Sequence, residues 1–194
     1  MLHGAQLKKA LLKVRLMAVH GPWWRAVAFR YLSKPPFEPL YASGSKLAGM
    51  RFTPKGSFDS LYLANDPVTA LAEVNSLIML PGGPVPMAAR PYTIVAVNGI
   101  VSRVLDLCDA TVLATLKTTE MEMTGAWATS VTPQTQVLAQ AAYDSGIVAG
   151  IRYGSAKNPG LKNLVVFTER LVESPTDYLE VHDPDKILNQ RISA

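Results

Sequence analysis

The chain has 194 residues and a mass of 21.0 kDa, with 48% hydrophobic and 18% charged residues, as is typical of one compact globular domain. This composition excludes a disordered tail protein, and the single cysteine, Cys108, excludes an internal disulfide. Nineteen Lys and Arg against fifteen Asp and Glu leave a formal net charge of +4, which favours an anionic ligand, an acidic partner or nucleic acid without deciding among them.

The sequence predicts no membrane span and no metal site. Lys8, Lys9, Lys13 and Arg15 interrupt the N-terminal apolar residues, so no signal-peptide core forms. Pro and Gly interrupt every other apolar run before it reaches the roughly 18 residues of a transmembrane helix. Three histidines and one cysteine offer no CxxC or HExxH spacing. We therefore expect a cytoplasmic protein that binds no metal.

Residues 5–19 carry apolar side chains at helical spacing, with most of the basic residues on other faces. This pattern predicts a basic amphipathic helix within residues 1–20. The helix could present only a solvated face, or it could bind an acidic partner or nucleic acid, and the charge pattern does not choose between these roles.

Three segments follow with different patterns. The aromatic residues 23–32 predict a strand that ends in a proline-rich loop. Three glycines and two prolines within residues 38–56 exclude a regular element there, and long irregular loops usually bind something or are disordered. Residues 60–64 predict a short strand with Tyr62 on the face opposite its leucines.

A strong helix start comes next. Asp66 is placed as N-cap and Pro67 at the first helical position, which predicts a helix that runs to about Leu80 and ends at a proline- and glycine-rich turn. Two β-prone runs within residues 92–107 flank Asn98-Gly99 and predict a hairpin.

The remaining pattern predicts helices over residues 110–119 and 133–144 and strands over 147–153 and 163–168. Strands outnumber helices and do not alternate with them regularly, so we expect an α+β fold with a central mixed, mostly antiparallel sheet flanked by helices. No repeat or low-complexity segment divides the chain. The sequence predicts a single domain over residues 1–194.

Glu73 is the first candidate for chemistry. At about 100° per residue it lies at the border of the apolar stripe of the predicted helix. A carboxylate at such a border loses part of its hydration, as catalytic acids often do. An exposed flanking glutamate fits the same spacing.

Two arginines, a tyrosine and a serine are further candidates. Arg30 ends the aromatic strand and Arg51 lies in the glycine-rich loop, and their planar guanidinium groups suit a pyrophosphate. Tyr62 could stack on a planar ring, and Ser155 in loop 154–160 could contact a ligand. Surface ion pairs, core packing and a simple turn are the ordinary alternatives. The sequence has no GxSxG, GxGxxG or GxxxxGK[ST] motif, so a bound nucleotide would be held in another way.

The order of several segments is informative. The chain reads Gly49-Met50-Arg51-Phe52-Thr53-Pro54-Lys55-Gly56, then Ser60-Leu61-Tyr62-Leu63-Ala64, then Thr69-Ala70-Leu71-Ala72-Glu73-Val74, with Ser155 and Asn163-Leu164-Val165-Val166-Phe167 later. This series resembles the RES family, which is named for its Arg, Glu and Ser. Phe29-Arg30-Tyr31 is similar to the family's first arginine motif. The resemblance extends over residues 27–168, and Phe52 and Thr53 stand where the family more usually has Trp and Asn.

The resemblance implies a bacterial toxin with a fold related to ADP-ribosyltransferases and with NAD⁺ as its substrate. Members of the family destroy NAD⁺ with water or phosphate as acceptor, or transfer ADP-ribose to a protein. The implied partner is an Xre-type antitoxin, through which alone the toxin would meet nucleic acid. The implied catalytic residues are Glu73 and Arg51, and the implied substrate-binding residues are Arg30, Tyr31, Tyr62, Ser155 and Asn163.

These residue types suit that reaction. Breaking the nicotinamide–ribose bond develops oxocarbenium-like charge on the ribose, so a nearby carboxylate such as Glu73 is needed. Arg51 and Arg30 would hold the pyrophosphate, Tyr62 would stack on or orient the nicotinamide side, and Ser155 would hydrogen-bond the ribose or the amide.

Two other functions remain open from the sequence. One is an ADP-ribosyltransferase toxin that modifies a host-cell protein, because surface loops choose the acceptor. The other is a non-catalytic module that binds nucleic acid or a partner through the basic helix, although its basic residues form no long cluster.

Overall fold

The computed structural model describes residues 1–87 and 91–194. The helices in this part of the chain are α1 Gly4–Leu11, α2 Ser43–Ala48, α3 Pro67–Glu73, α4 Ala110–Leu116, α5 Glu120–Thr124, α6 Gln134–Asp144 and α7 Thr168–Leu171, with a 3₁₀ turn at Phe29–Tyr31. The strands are β1 Met17–His20, β2 Trp23–Ala28, β3 Ser60–Ala64, β4 Leu77–Leu80, β5 Gly83–Pro86, β6 Tyr92–Asp106, β7 Gly150–Gly154, β8 Lys162–Phe167, β9 Tyr178–Val181 and β10 Arg191–Ser193.

One large sheet organises the fold. Its strand order is β10-β9-β6-β2-β3-β8-β7, and β1 also pairs with β6. The pairings are antiparallel except for β7, which runs parallel to the end of β6 and so closes β6, β2, β3, β8 and β7 into a circuit. Strands β4 and β5 form a separate hairpin. The expected α+β class with a mixed, mostly antiparallel sheet flanked by helices is confirmed.

The two faces of the sheet bury separate hydrophobic clusters. Strand β8 shows this division, because Val165 and Phe167 pack in a cluster with α1, α4 and α6, whereas Leu164 and Val166 pack in a cluster with β1, β2 and β9. Successive side chains of a strand point to opposite faces. A strand segment buried on both faces is therefore uniformly apolar, as residues 164–167 of β8 are.

The predicted start of α3 is confirmed, but its predicted end at about Leu80 is wrong. Asp66 Oδ1 accepts hydrogen bonds from the backbone N–H groups of Val68 and Thr69, at 2.9 and 3.1 Å. Asn75 has a left-handed φ of 56°, and the N–H groups of residues 75 and 76 donate to the carbonyls of residues 72 and 71. This pattern is a Schellman motif, which ends α3 at Glu73 and leaves residues 77–80 free to form β4.

The predicted hairpin at Asn98-Gly99 is also wrong, because β6 continues through it. Residues 97–100 pair with β9, so the backbone there is extended and not turned. Gly99 has a φ of 155°, and a Cβ on it would overlap the carbonyl oxygen of Tyr178 and approach Leu179 Cα to 3.0 Å. Gly99 is therefore required by the close approach of β9.

We expect Gly99→Ala to lower the free energy of unfolding by at least about 2 kcal/mol, since the added methyl group must displace backbone and the φ becomes strained. Urea unfolding followed by circular dichroism measures this change. Gly82→Ala is the matched control, because a Cβ at Gly82 meets no atom within 4 Å. Equal stability of the two variants would contradict the assigned role of Gly99.

The N-terminal prediction needs correction as well. The helix within residues 1–20 is only Gly4–Leu11, and Met17–His20 forms β1 beside β6. Residues 18–20 alternate exposed, buried and exposed, with Val19 only 5% exposed, which is the period of a strand. Lys13 and Arg15 lie in the connection, so the basic residues share no helical face.

The region before β3 also differs from the predictions in two places. Strand β2 ends at Ala28 instead of Leu32, because its partner β6 starts after Pro91, which has no N–H for the ladder. Arg30 therefore lies on the 3₁₀ turn after the strand. Within residues 38–56, where no regular element was expected, the short helix α2 occupies Ser43–Ala48.

Candidate functional site

A cavity of about 660 Å³ lies between β2 and β3. The two strands share only one register pair, Trp24 with Ala64, whereas β2 pairs with β6 along its whole length. Strands β2 and β3 therefore diverge from that pair, and residues of both line the gap together with α3 and the segment 38–51. The volume is within the range of small-molecule and cofactor sites.

Glu73 reaches this cavity from the last residue of α3. Its Oε1 accepts two hydrogen bonds, from Ser155 Oγ and from Asn163 Nδ2, each at 2.6 Å. Among residues 1–87 and 91–194, Oε2 has no hydrogen-bond partner and no cation forms an ion pair with the carboxylate. One oxygen thus fixes the orientation of the carboxylate, and the other is available to a ligand.

The loop that follows β7 holds Ser155 against Glu73. Ser155 is 5% exposed, and its Oγ accepts from the backbone N–H groups of Lys157 and Asn158, at 3.2 and 3.0 Å. Asn158 Nδ2 donates in turn to Thr69 Oγ1 at 2.8 Å, which ties the loop to α3. Ser155 does not line the cavity, so it contacts the carboxylate from the protein side.

Tyr62 lines the cavity from β3 and also holds the arginine loop. Its hydroxyl accepts from the backbone N–H of Phe52 at 3.0 Å and hydrogen-bonds to Thr53 Oγ1 at 2.8 Å. Burial raises the pKa of Tyr62 to about 12, so the phenol stays protonated at neutral pH. Phe52 packs on the ring of Tyr153 with a centroid distance of 4.5 Å. Phe52 and Thr53, which stand where the family more usually has Trp and Asn, therefore both stabilise this loop through packing and hydrogen bonding.

Arg51 links this loop to the end of α5. Its Nη1 donates to the carbonyls of Met123 and Gly125 at 3.1 and 2.8 Å. Its Nη2 and Nε make no hydrogen bond to the described part of the protein, and the side chain lines the cavity. Half of the guanidinium fork is thus used for anchoring and half is available to an anion.

Arg30 and Tyr31 line the cavity and are both exposed. Arg30 Nη2 donates to the Tyr31 hydroxyl at 3.0 Å, and the guanidinium carbon lies 4.8 Å from the centre of the Tyr31 ring. This stacking orients the arginine without neutralising it.

The structure brings all seven predicted residues to one place. Six of them line the cavity, namely Glu73, Arg51, Arg30, Tyr31, Tyr62 and Asn163, and the seventh, Ser155, contacts Glu73. The roles assigned to them from the sequence stay predictions. Within the described ranges, no group of three or more His, Cys, Asp or Glu residues is placed to hold a metal ion, and no helix has the length and apolarity to cross a membrane.

Sequence reasoning missed Arg25, which also lines the cavity. The available signal was its position in β2, two residues from both Trp23 and Val27, which are 7% and 5% exposed. Alternation places Arg25 on the same side of the strand as these buried residues. A charge at such a position is unusual and indicates a specific role.

Comparison with known proteins places these features in a family. The fold matches a chain of the crystal structure of the M. tuberculosis MbcT–MbcA toxin–antitoxin complex with a TM-score of 0.68, over 93% of this chain and 91% of that chain, at 16% sequence identity. No curated protein matches the chain in sequence. The sequence model of the RES domain matches residues 22–185, somewhat beyond the 27–168 that the motifs indicated. Since this match spans most of the chain, the protein belongs to the RES-domain family.

Proposed function

We propose that the protein is the toxin of a toxin–antitoxin pair and that it cleaves the nicotinamide–ribose bond of NAD⁺. The observation that carries the proposal is the carboxylate of Glu73, which Ser155 and Asn163 hold by one oxygen at the wall of a cavity that also contains arginines. Neutral donors leave the negative charge of a carboxylate uncompensated. Such a group suits a reaction that develops positive charge.

The bond cleavage would proceed as follows. Nicotinamide leaves with the electron pair of the glycosidic bond and becomes neutral, while the ribose carbon gains oxocarbenium character. Glu73 Oε2 stabilises that charge because Oε1 is already held in place. An oxygen of the acceptor then bonds to the ribose carbon, and the proton of the acceptor is released.

The arginines would bind the rest of the dinucleotide. Arg51 has Nη2 and Nε available, and Arg30 is exposed beside Tyr31, so each can donate to a phosphate oxygen. The ring of Tyr62 would stack on or orient the nicotinamide side. These contacts would fix the substrate while the glycosidic bond breaks.

The partner of a toxin with this site must close the cavity. The likeness in fold to a chain of a toxin–antitoxin complex supports such a partner, and the family resemblance makes an Xre-type antitoxin the candidate. A net charge of +4 suits an acidic antitoxin segment. NAD⁺ and an acidic segment would then compete for the same arginines.

Nicotinamide release from NAD⁺ tests the proposal. The chain, freed from any co-expressed partner, is incubated with NAD⁺ in buffers with and without phosphate, and the products are identified by mass spectrometry. We expect release of nicotinamide together with ADP-ribose or its phosphate adduct. Release that occurs only with added cell proteins, which become ADP-ribosylated, would assign the protein acceptor instead. No release in any of these mixtures would overturn the proposal.

Ser155 provides a second prediction, as a positioning residue. Ser155→Ala removes one of the two donors to Glu73, so we expect kcat to fall about 10-fold, the effect of about 1.4 kcal/mol, with little change in the KM for NAD⁺. Steady-state kinetics measures both constants. Ser155→Thr keeps the hydroxyl and should restore much of kcat, and Ser130→Ala on the exposed surface is the control. A rise in KM with unchanged kcat would instead indicate direct substrate contact.

A further inference from the structure

Arg25 is a charged residue that the proposed chemistry does not use. Its Nη2 donates to the carbonyl of Tyr41 at 2.7 Å. Its Nη1 is buried, and no atom of the described chain accepts a hydrogen bond from it. No carboxylate within residues 1–87 or 91–194 forms an ion pair with the side chain. The guanidinium therefore belongs to a half-buried cation whose Nη1 is buried without a partner, and it has no counter-ion among the described residues.

Such a group has an unfavourable energy in the free protein. Burial lowers the pKa of Arg25 to about 10, which leaves it positively charged at neutral pH. A buried polar atom without a partner costs about 1–3 kcal/mol, and more when it is charged. Buried polar atoms without a partner are found at binding sites, because a bound ligand supplies the missing hydrogen-bond partner.

The other charges at the cavity wall do not supply it. In the described part of the chain, three further basic residues line the cavity, Arg30, Arg51 and Lys157, against two acidic ones, Glu38 and Glu73. Glu73 is oriented by Ser155 and Asn163, as described above, and Glu38 is exposed. The cavity therefore has an excess of positive charge, which favours an anion.

We propose that Arg25 forms a phosphoryl-binding subsite in this cavity, separate from the contacts assigned to Arg51 and Arg30. The planar guanidinium matches two oxygens of a phosphate, and its uncompensated charge gives the contact its strength. The phosphoryl group can belong to the dinucleotide or can be free inorganic phosphate that accepts ADP-ribose. The identity of the phosphoryl group, dinucleotide or free phosphate, rests on the proposed function. The binding of an anion by Arg25 does not, because it requires no catalysis.

Calorimetric binding of inorganic phosphate and of ADP tests the subsite. We expect Arg25→Gln to weaken binding of at least one probe by 10-fold or more, and Arg25→Lys to weaken it less. Arg15→Gln removes an equal charge from an exposed connection and should bind as the wild type does. Wild-type affinity of Arg25→Gln for both probes would overturn the proposal, whether or not the chain cleaves NAD⁺.

Thermal unfolding separates this subsite from a structural role. If Arg25 serves to bind a ligand, Arg25→Gln should leave the midpoint of thermal unfolding of the ligand-free protein unchanged or raise it. The same substitution should abolish the increase in midpoint that phosphate or ADP causes in the wild type. A lower midpoint with an undiminished shift would overturn the proposal and assign Arg25 to the support of segment 38–41.

Kinetics in two buffers identifies the source of the phosphoryl group. If Arg25→Gln raises the KM for NAD⁺ in phosphate-free buffer, the subsite binds a phosphate of the dinucleotide. A rise of the KM for phosphate alone assigns it to the acceptor.

Discussion

Glu73→Gln is expected to lower the rate of nicotinamide release by at least about 100-fold, the usual scale for loss of a group that stabilises transition-state charge. The glutamine keeps a carbonyl oxygen that can accept from Ser155 and Asn163, so the side chain should remain in place. It lacks the negative charge that the oxocarbenium-like ribose needs. NAD⁺ binding should persist, because the arginines are unchanged.

Single-turnover release of nicotinamide measures the rate, and calorimetry with NAD⁺ measures the binding. Glu180→Gln is the matched control, since the Glu180 side chain on β9 is 44% exposed and, among residues 1–87 and 91–194, forms an ion pair with Arg191 alone, at 2.9 Å. Full activity of Glu73→Gln would refute the role of Glu73. The charge would then have to come from Glu38, the other carboxylate that lines the cavity in the described part of the chain.

The sequence predicted those parts of the fold that depend on local signals. Asp66 and Pro67 gave the start of α3, and strand β3 was predicted with its observed bounds, Ser60–Ala64. The end of α3 was missed because of a local feature, the left-handed Asn75 of the Schellman motif, but two other errors came from tertiary pairing. Asn-Gly pairs are common in hairpin turns, yet Asn98 and Gly99 lie in an extended strand that pairs with β9. Residues 17–20 pair with β6 instead of continuing α1. Partners distant in sequence overrode local propensity at both places.

The candidate site was predictable to a similar degree. Glu73 was found by its position at the border of an apolar stripe, Arg51 by its glycine-rich loop and Tyr62 by strand alternation, and the ordered motifs added Tyr31 and Asn163. Ser155 was expected to contact the substrate, and that role stays a prediction; what the sequence did not indicate is the hydrogen bond from Ser155 Oγ to Glu73 Oε1. The direction of a side chain within a loop depends on that loop's own hydrogen bonds, such as those from residues 157 and 158, which no spacing rule reveals.

Arg51→Gln is expected to lower kcat/KM for NAD⁺ by about 100-fold, mainly through KM, if the free edge of its guanidinium binds the pyrophosphate. Arg51→Lys should recover little, because one ammonium cannot both hold the carbonyls of Met123 and Gly125 and present a flat fork to phosphate. Arg191→Gln, at the far edge of the sheet, is the matched control. Steady-state kinetics with NAD⁺ checks the split between kcat and KM.

Thermal unfolding of the same variants gives a second readout for Arg51. Loss of the hydrogen bonds to Met123 and Gly125 should lower the free energy of unfolding by about 1–2 kcal/mol in both Arg51 variants. If the two variants lose equal stability but unequal affinity for NAD⁺, the anchoring role of Arg51 is separate from its role in substrate binding. If Arg51→Lys binds NAD⁺ as the wild type does, a single positive charge is sufficient at this position. The guanidinium fork would then serve only to hold the loop to α5, and the pyrophosphate would have to be bound by the other arginines of the cavity.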